Sequence, residues 1–242
     1  MLVFGRVKIP RPHIRRCLLK RAIILLSGGL DSATTLYKAR EKGYDCICLI
    51  FDYKQRHKRE IESARKIARL SGSAYKEMKI NMPWGTSALL DRRTGMPQGR
   101  VTAEMKKGIP STYVPARNTI FISLAAGMAE AIGARRIFIG ANSLDYSGYP
   151  DCRGIYFRTF NELLKVGTAA GVRGKSIRIE TPLLKMTKGQ IIRTGLSMGV
   201  PYEYTWSCYK GGKMPCMRCD SCLLRRKGFR EAGVKDPLLE RK

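Results

Sequence analysis

Five short strand-like runs that alternate with segments of helical periodicity constrain the fold of this chain more than any other feature. The runs lie at residues 22–26, 46–51, 75–80, 136–140 and 176–184. Strands that alternate with helices pair in parallel through right-handed crossovers. The alternation therefore predicts an α/β fold, a doubly wound and mostly parallel sheet with helices on both faces. Residues 75–80 alternate polar and apolar side chains, which favours a place near an edge of the sheet.

Two of the helices carry clear signals at their ends. One begins near Asn118 and ends at Gly133, with an apolar face formed by Phe121, Leu124, Ala125, Met128 and Ile132. Another begins at a capping box, in which Thr187 and Gln190 satisfy each other's backbone N–H groups.

Polar motifs follow three of the predicted strands. They are SGGLDS (27–32), DYKQRH (52–57) and ANSLDYSGYPDC (141–152). Ligands of such sheets bind at the carboxyl ends of the strands, near the point where the strand order reverses. We therefore expect the three motifs to meet in one site.

The SGGLDS motif joins a strand to the start of a helix. Backbone N–H groups there have no partner within the helix, and the helix dipole favours an anion, so a phosphate fits. The motif matches neither G-x-x-x-x-G-K-[ST] nor G-x-G-x-x-G. An ordinary turn capped by Asp31 or Ser32 is the alternative. The motif resembles the SGGxDS pyrophosphate loop of the ATP pyrophosphatases, which cleave ATP between the α- and β-phosphates.

Length and composition suggest one main domain with small additions. A chain of 242 residues buries a full core. We predict a basic N-terminal extension (1–20), an α/β domain (21–204) and a C-terminal four-cysteine segment (205–242). Residues 83–116 are rich in Gly, Pro and charge, which predicts a lid loop. The extension reads equally as a basic arm, a disordered tail or an overlong start.

The sequence contains neither an apolar run long enough to span a membrane nor a secretory signal, so we expect a cytoplasmic protein with no membrane partner. Its 46 Lys and Arg against 19 Asp and Glu give a net charge of +27. Such a surplus favours polyanions such as nucleic acid. A solvated basic surface is the alternative, because the charges are spread along the whole chain.

Four cysteines near the C-terminus have the spacing of a metal site. They are Cys208, Cys216, Cys219 and Cys222, in the pattern C-x7-C-x2-C-x2-C. Four thiolates with this spacing favour a structural zinc ion, and an iron–sulfur cluster is the competing interpretation. Cys46 and Cys48 lie in an apolar strand and are expected in the core.

Several motifs together resemble the 7-cyano-7-deazaguanine synthase family over about residues 21–230. They are LSGGLDS, FDYKQRH, RNTIFISLA, DYSGYPDCR and TWSCYKGG…PCMRCDSC, in the family's order and spacing. Leu26 replaces the family's more usual aromatic residue, and Ala116 replaces a frequent glycine.

The resemblance implies an ATP-dependent carbon–nitrogen ligase that makes a queuosine or archaeosine precursor. Its substrate, 7-carboxy-7-deazaguanine, would be adenylated, converted by ammonia to an amide, and dehydrated to the nitrile. The resemblance implies Mg²⁺ and Zn²⁺ beside ATP, and a homodimer with no need for nucleic acid.

The resemblance also implies the roles of individual residues. Asp31 would help to place Mg²⁺ and Lys188 would neutralise the leaving pyrophosphate; a helix cap and a solvated lysine are the alternatives. ATP contacts are implied for Leu26, Ser27, Gly28, Gly29, Leu30, Asp31, Ser32, Ala33, Thr34, Thr35, Leu36, Phe51, Asp52 and Tyr53. Substrate contacts are implied for Gln55, Arg56, His57, Arg117, Asn118, Asp145, Tyr146, Tyr149 and Asp151. Cys152 is expected to serve packing.

Two other functions fit parts of the sequence. A tRNA-thiolating enzyme of the ATP-pyrophosphatase class would explain the charge, but it requires catalytic cysteines near the ATP site. A non-catalytic nucleotide-binding protein on the same fold would need neither the lid nor the pyrophosphate loop.

Overall fold

The computed structural model describes residues 20–84, 87–91, 93–100, 104, 108–144 and 148–240. Five strands form one sheet in the order β3-β2-β1-β4-β5, and all neighbouring strands are parallel. They are β1 (Arg21–Leu25), β2 (Asp45–Asp52), β3 (Ala74–Lys79), β4 (Arg136–Ile139) and β5 (Arg178–Glu180). The predicted parallel sheet is confirmed, and β3 lies at its edge.

Helices connect the strands and form the C-terminal part of the chain. They are α1 (Leu30–Glu41), α2 (Arg59–Leu70), α3 (Arg117–Ile132), α4 (Gly154–Gly167), α5 (Ala169–Val172), α6 (Lys188–Ser197), α7 (Asp220–Ala232) and α8 (Pro237–Glu240). Helix α6 begins at the predicted capping box of Thr187 and Gln190. Within the described ranges, every helix is too short or too polar to cross a membrane.

The sheet separates two hydrophobic cores, as expected for helices on both faces. Alternate residues of β1 enter opposite cores, because successive side chains of a strand point to opposite faces. Ala22 and Ile24 pack with residues of α1, α2, α6 and α7, whereas Ile23 and Leu25 pack with residues of α3 and α4.

The buried face of α3 differs from the face predicted from the sequence. Its buried apolar residues are Ile122, Ala125, Ala126 and Ala129, whereas Leu124 is 38% exposed. The helix is apolar on most sides, so periodicity alone did not select a face. The small side chains of the three alanines turn toward the sheet, and the larger Leu124 stays outside.

Ala116 precedes α3 in a left-handed backbone conformation, with φ 55° and ψ 16°. A side chain in this region costs about 1–2 kcal/mol, because its Cβ approaches the following carbonyl oxygen. Glycine has no Cβ, which explains physically why a glycine suits this position.

Replacing Ala116 by glycine is therefore expected to stabilise the protein. The removal of strain exceeds the extra entropy that glycine loses on folding, about 0.5–1 kcal/mol, so the net gain is about 0.5–1 kcal/mol. Denaturant unfolding measures it. Ala131 is the matched control, since it is exposed near the end of α3 and its change to glycine should destabilise by a similar amount. Equal losses in both variants would contradict the strain argument.

Candidate active site

A cavity of about 270 Å³ opens at the carboxyl ends of β1, β2 and β4. The chain runs from β1 outward to β3, then crosses to β4 on the other side, so the strand order reverses between β1 and β4. Gly140 allows α1 to begin close to the end of β4, because a Cβ on Gly140 would lie 2.9 Å from the carbonyl carbon of Asp31. The cavity therefore occupies the expected switch point.

The SGGLDS loop forms one wall of this cavity through its own hydrogen bonds. The hydroxyls of Ser27 and Ser32 are 3.0 Å apart, and the Gly29 N–H donates to Ser27 Oγ over 3.3 Å. Gly28 has a φ of +82°, and a Cβ there would meet the carbonyl oxygen of Glu60 at 2.2 Å. Only glycine fits this contact between the loop and the first turn of α2.

Asp31 and Lys188 form an ion pair beside the loop. Lys188 Nζ donates to both carboxylate oxygens of Asp31, over 2.9 and 2.8 Å. The lysine side chain is 6% exposed and that of the aspartate 19%. The two residues stand at the first turns of α1 and α6, which meet at the cavity. The two predicted catalytic residues therefore lie together beside the SGGLDS loop.

Residues 33–36 lie behind the loop and not in the cavity. The side chains of Ala33 and Leu36 are fully buried in the core. Thr34 Oγ1 is 2.7 Å from the hydroxyl of Tyr202 and donates to the carbonyl of Leu30. Thr35 is also buried. ATP contacts were implied for these four residues. Their side chains are buried in the protein core, so these contacts stay a prediction.

Aromatic side chains line the cavity at the end of β2. The rings of Phe51 and Phe121 are stacked with their centroids 3.9 Å apart. Arg117 donates from Nη1 to the hydroxyl of Tyr53 over 3.1 Å, and all four residues line the cavity. Asp52 instead accepts from the backbone N–H of Lys54 and does not line it.

Gln55, Arg56 and His57 all line the cavity. Gln55 Oε1 accepts from the N–H of Tyr53 over 2.9 Å, which shapes the turn. Arg56 donates to the carbonyls of Asp91 and Thr94 and so holds described residues of the predicted lid. Burial lowers the pKa of His57, which favours its neutral form near pH 7.

The start of α3 and the segment after β4 close the remaining wall. Asn118 and Tyr149 line the cavity. Asp151 lies behind them, where its carboxylate accepts from the backbone N–H of Asn118 over 3.3 Å. Asp145 and Tyr146, for which substrate contacts were implied, lie outside the described residues.

Other residues of the cavity wall were not singled out from the sequence as site residues. They include Glu60, Asn142, Trp206, Tyr209 and Arg225. In the sequence, Glu60 resembles any acidic residue in the first turn of a helix. Its closeness to the DYKQRH motif is the only sequence signal that could have indicated a place in the site. Burial raises the pKa of Glu60 to about 7, against the opposing charge of Arg117.

The four C-terminal cysteines converge as predicted. The sulfur atoms of Cys208, Cys216, Cys219 and Cys222 all lie within 4.8 Å of one another. Three backbone N–H groups donate to these sulfurs, two of them to Cys208. Such bonds favour the thiolate form that binds metals. The four sulfurs are close enough together to hold a metal ion. The cluster packs with Trp206, which donates its backbone N–H to the carbonyl of Gly28 over 2.9 Å.

Comparison with known proteins assigns the chain to a family. The protein-family model described as queuosine biosynthesis protein QueC matches residues 21–233. The chain belongs to this family. The 7-cyano-7-deazaguanine synthase of Trichodesmium erythraeum is 51% identical over 221 residues, covering 90% of this chain and 100% of the relative. The same-named protein of Thermoplasma acidophilum is 53% identical over 220 residues, covering 90% of this chain and 91% of the relative.

Family membership confirms the resemblance that the motifs indicated. The matched residues contain the SGGLDS loop, the residues that line the cavity and the cysteine cluster. Cys152 is the one thiol among the described residues that line the cavity, and burial raises its pKa to about 12. A thiol held protonated is a poor nucleophile, which argues against a thiolating enzyme.

Proposed function

We propose that this chain converts 7-carboxy-7-deazaguanine and ammonia to 7-cyano-7-deazaguanine with consumption of ATP. The activity is the one for which its relatives are named. The observation that carries the proposal is the Asp31–Lys188 pair, which stands beside a phosphate loop at the switch-point cavity.

The chemistry requires activation of a carboxylate, because ammonia does not displace its oxygen. Adenylation of that oxygen makes AMP the leaving group, and attack by ammonia gives the amide. Activation of the amide oxygen in a second step permits dehydration to the nitrile. The protein contributes mainly positioning and neutralisation of charge.

The phosphate loop and the ion pair are suited to the triphosphate. Backbone N–H groups and hydroxyls between Ser27 and Ser32 would hold the pyrophosphate portion. Lys188 would offset the charge that develops on the leaving pyrophosphate. Asp31 would exchange a bond to Lys188 for one to Mg²⁺, and Mg²⁺ would neutralise phosphate oxygens.

The aromatic wall is suited to flat rings. Phe51 and Tyr53 would contact the adenosine, and Tyr149 with Asn118 would contact the deazaguanine. Arg117 reaches both groups, since it bonds Tyr53 and begins α3 beside Asn118. Asp151 would act indirectly by fixing the start of α3, and contacts from Asp145 and Tyr146 remain predictions.

The cysteine cluster is best suited to one structural zinc ion. A Zn–S bond of about 2.3 Å places tetrahedral sulfurs about 3.8 Å apart. Cys216 and Cys222 have their sulfurs 4.0 Å apart, and all four lie within 4.8 Å. An iron–sulfur cluster would spread the thiolates over different iron atoms. Four protein ligands leave no open position, so the ion would stabilise the C-terminal segment, residues 205–240.

Three further features remain predictions about the protein in the cell. Ammonia as the nitrogen source, a homodimer and a cytoplasmic location follow from the family resemblance and the sequence. Sedimentation analysis measures the oligomeric state, and labelled ammonium followed into the nitrile identifies the nitrogen source.

The proposed activity has a direct test. Incubation with ATP, Mg²⁺, ammonium and 7-carboxy-7-deazaguanine should give the nitrile by mass spectrometry. AMP and pyrophosphate should appear only when the carboxylated base is present, because adenylation cleaves ATP between the α- and β-phosphates. Release of ADP and phosphate alone would contradict the proposal.

The net charge of +27 favours one alternative, an enzyme that acts on tRNA. Parallel reactions with and without tRNA across a salt series separate the two functions. Binding of RNA through phosphate contacts weakens steeply as salt rises. Turnover of the free base should need no tRNA and should fall much less with salt. A modified tRNA as the product would support the alternative.

A further inference from the structure

Glu60 is a carboxylate in the cavity wall that the proposed roles leave unused. Among the described residues that line the cavity, Asp31 and Glu60 are the two carboxylates. Lys188 occupies both oxygens of Asp31. The carboxylate of Glu60 makes no hydrogen bond or ion pair within the described ranges of the chain. The negative charge of the ionised Glu60 side chain is therefore not neutralised by a directly bonded group.

Glu60 lies close to the SGGLDS loop and to Arg117. Its backbone packs against Gly28 of the phosphate loop, as the 2.2 Å approach to a Cβ on that glycine shows. Arg117, which bonds Tyr53, acts on Glu60 electrostatically without forming an ion pair. Glu60 thus lies between the loop proposed to bind the triphosphate and the Arg117–Tyr53 pair proposed to contact the two bases.

The negative charge of Glu60 determines which substrate it can bind. ATP and the carboxylated base are both anions, which the half-buried carboxylate of Glu60 repels when it is ionised. Ammonium is the one cationic substrate of the proposed reaction, and ammonia in neutral water is mostly in this form. We propose that Glu60 binds the ammonium ion and accepts a proton from it, so that ammonia is released beside the adenylated carboxyl group. This inference rests on the proposed function.

Conversion of ammonium to the amide nitrogen requires the loss of two protons. One N–H bond of ammonium breaks and its proton goes to a carboxylate oxygen of Glu60. The freed lone pair forms the C–N bond with the acyl carbon, and AMP leaves with the electrons of the C–O bond. The nitrogen then loses a second proton to water, which leaves the amide. The raised pKa of Glu60 described above suits it to accept the first proton.

The proposal predicts that Glu60 serves only one half of the reaction. Formation of the amide consumes ammonium, whereas dehydration of the amide to the nitrile does not. In Glu60→Gln, conversion of acid to amide should fall at least about 100-fold, the range of a lost general base. Conversion of added amide to nitrile with ATP should stay within about threefold of wild type. That second half requires the fold, ATP binding and Mg²⁺, so it serves as an internal control.

Further variants sharpen the test. Glu60→Asp should restore part of the amide formation, and its KM for ammonium should lie between those of Glu60→Gln and wild type. Glu62→Gln is the matched control, because Glu62 is an exposed acid of the same helix turn and should behave as wild type. Hydroxylamine is neutral at neutral pH. The ratio of the rate with hydroxylamine to the rate with ammonium should therefore be far higher for Glu60→Gln than for wild type.

Each outcome decides the role of Glu60. Equal losses in both halves, or a raised Mg²⁺ requirement with an unchanged KM for ammonium, would assign Glu60 to the metal or the fold and overturn the proposal. Undiminished amide formation would overturn it too. Failure of the proposed function is distinguishable, because wild-type protein would then convert neither the acid nor the amide.

Discussion

Replacement of Cys219 by serine is expected to remove the bound metal, destabilise the protein and lower turnover together. The binding free energy of a structural zinc site is folding free energy, on the order of 10 kcal/mol in small zinc domains. A loss of about 3 kcal/mol would lower the Tm of a chain of this size by about 6–12 °C. Turnover should fall too, because Trp206 and Arg225, which flank the cluster in sequence, line the cavity.

Metal analysis and thermal unfolding measure these effects. Wild-type protein should contain about one zinc per chain and lack the visible absorption of an iron–sulfur cluster. Cys48 provides a matched control, since it is fully buried in β2 away from the cluster. Its change to alanine should cost about 1 kcal/mol and leave the metal content unchanged. Full zinc and unchanged stability in Cys219→Ser would refute the structural role.

The fold and the general place of the site could be predicted because local signals carry them. Apolar runs, helix ends and Gly-rich turns report the alternation of strands and helices. Because the carboxyl ends of parallel strands lie at one edge of the sheet, the three separate motifs are predicted to meet in one site. The order β3-β2-β1-β4-β5 has no such local signal, because it depends on how each crossover packs.

The pairing within the site could not be predicted for a similar reason. Asp31 and Lys188 are 157 residues apart, and only the packing of α6 beside α1 brings their first turns together. Glu60 resembles other acids at helix starts, and its role depends on the contact between Gly28 and α2. The family motifs implied roles for Asp31 and Lys188, but no local pattern in the sequence indicates that the two side chains form an ion pair.

Substitution of Lys188 by methionine is expected to lower kcat by about 100- to 1000-fold, the usual cost of losing one group that stabilises developing charge. Asp31→Asn should cause a loss of similar size, because the carboxylate is the proposed magnesium ligand. Measurements of AMP release at saturating substrate give kcat for both variants. Neither loss should be rescued by more ATP, since the lost interactions act mainly as pyrophosphate leaves.

The two variants should differ in stability, and this difference separates structure from catalysis. Asp31→Asn takes the carboxylate from a lysine that is 6% exposed, whereas Lys188→Met leaves an aspartate that is 19% exposed and more readily solvated. Breaking a buried pair by removing one partner costs about 3–5 kcal/mol, so Asp31→Asn should be the less stable variant. The double variant should regain stability, because no charge remains buried, but it should stay inactive. Recovery of turnover in the double variant would reduce the pair to a structural contact, since the phosphate site would then function without either charge.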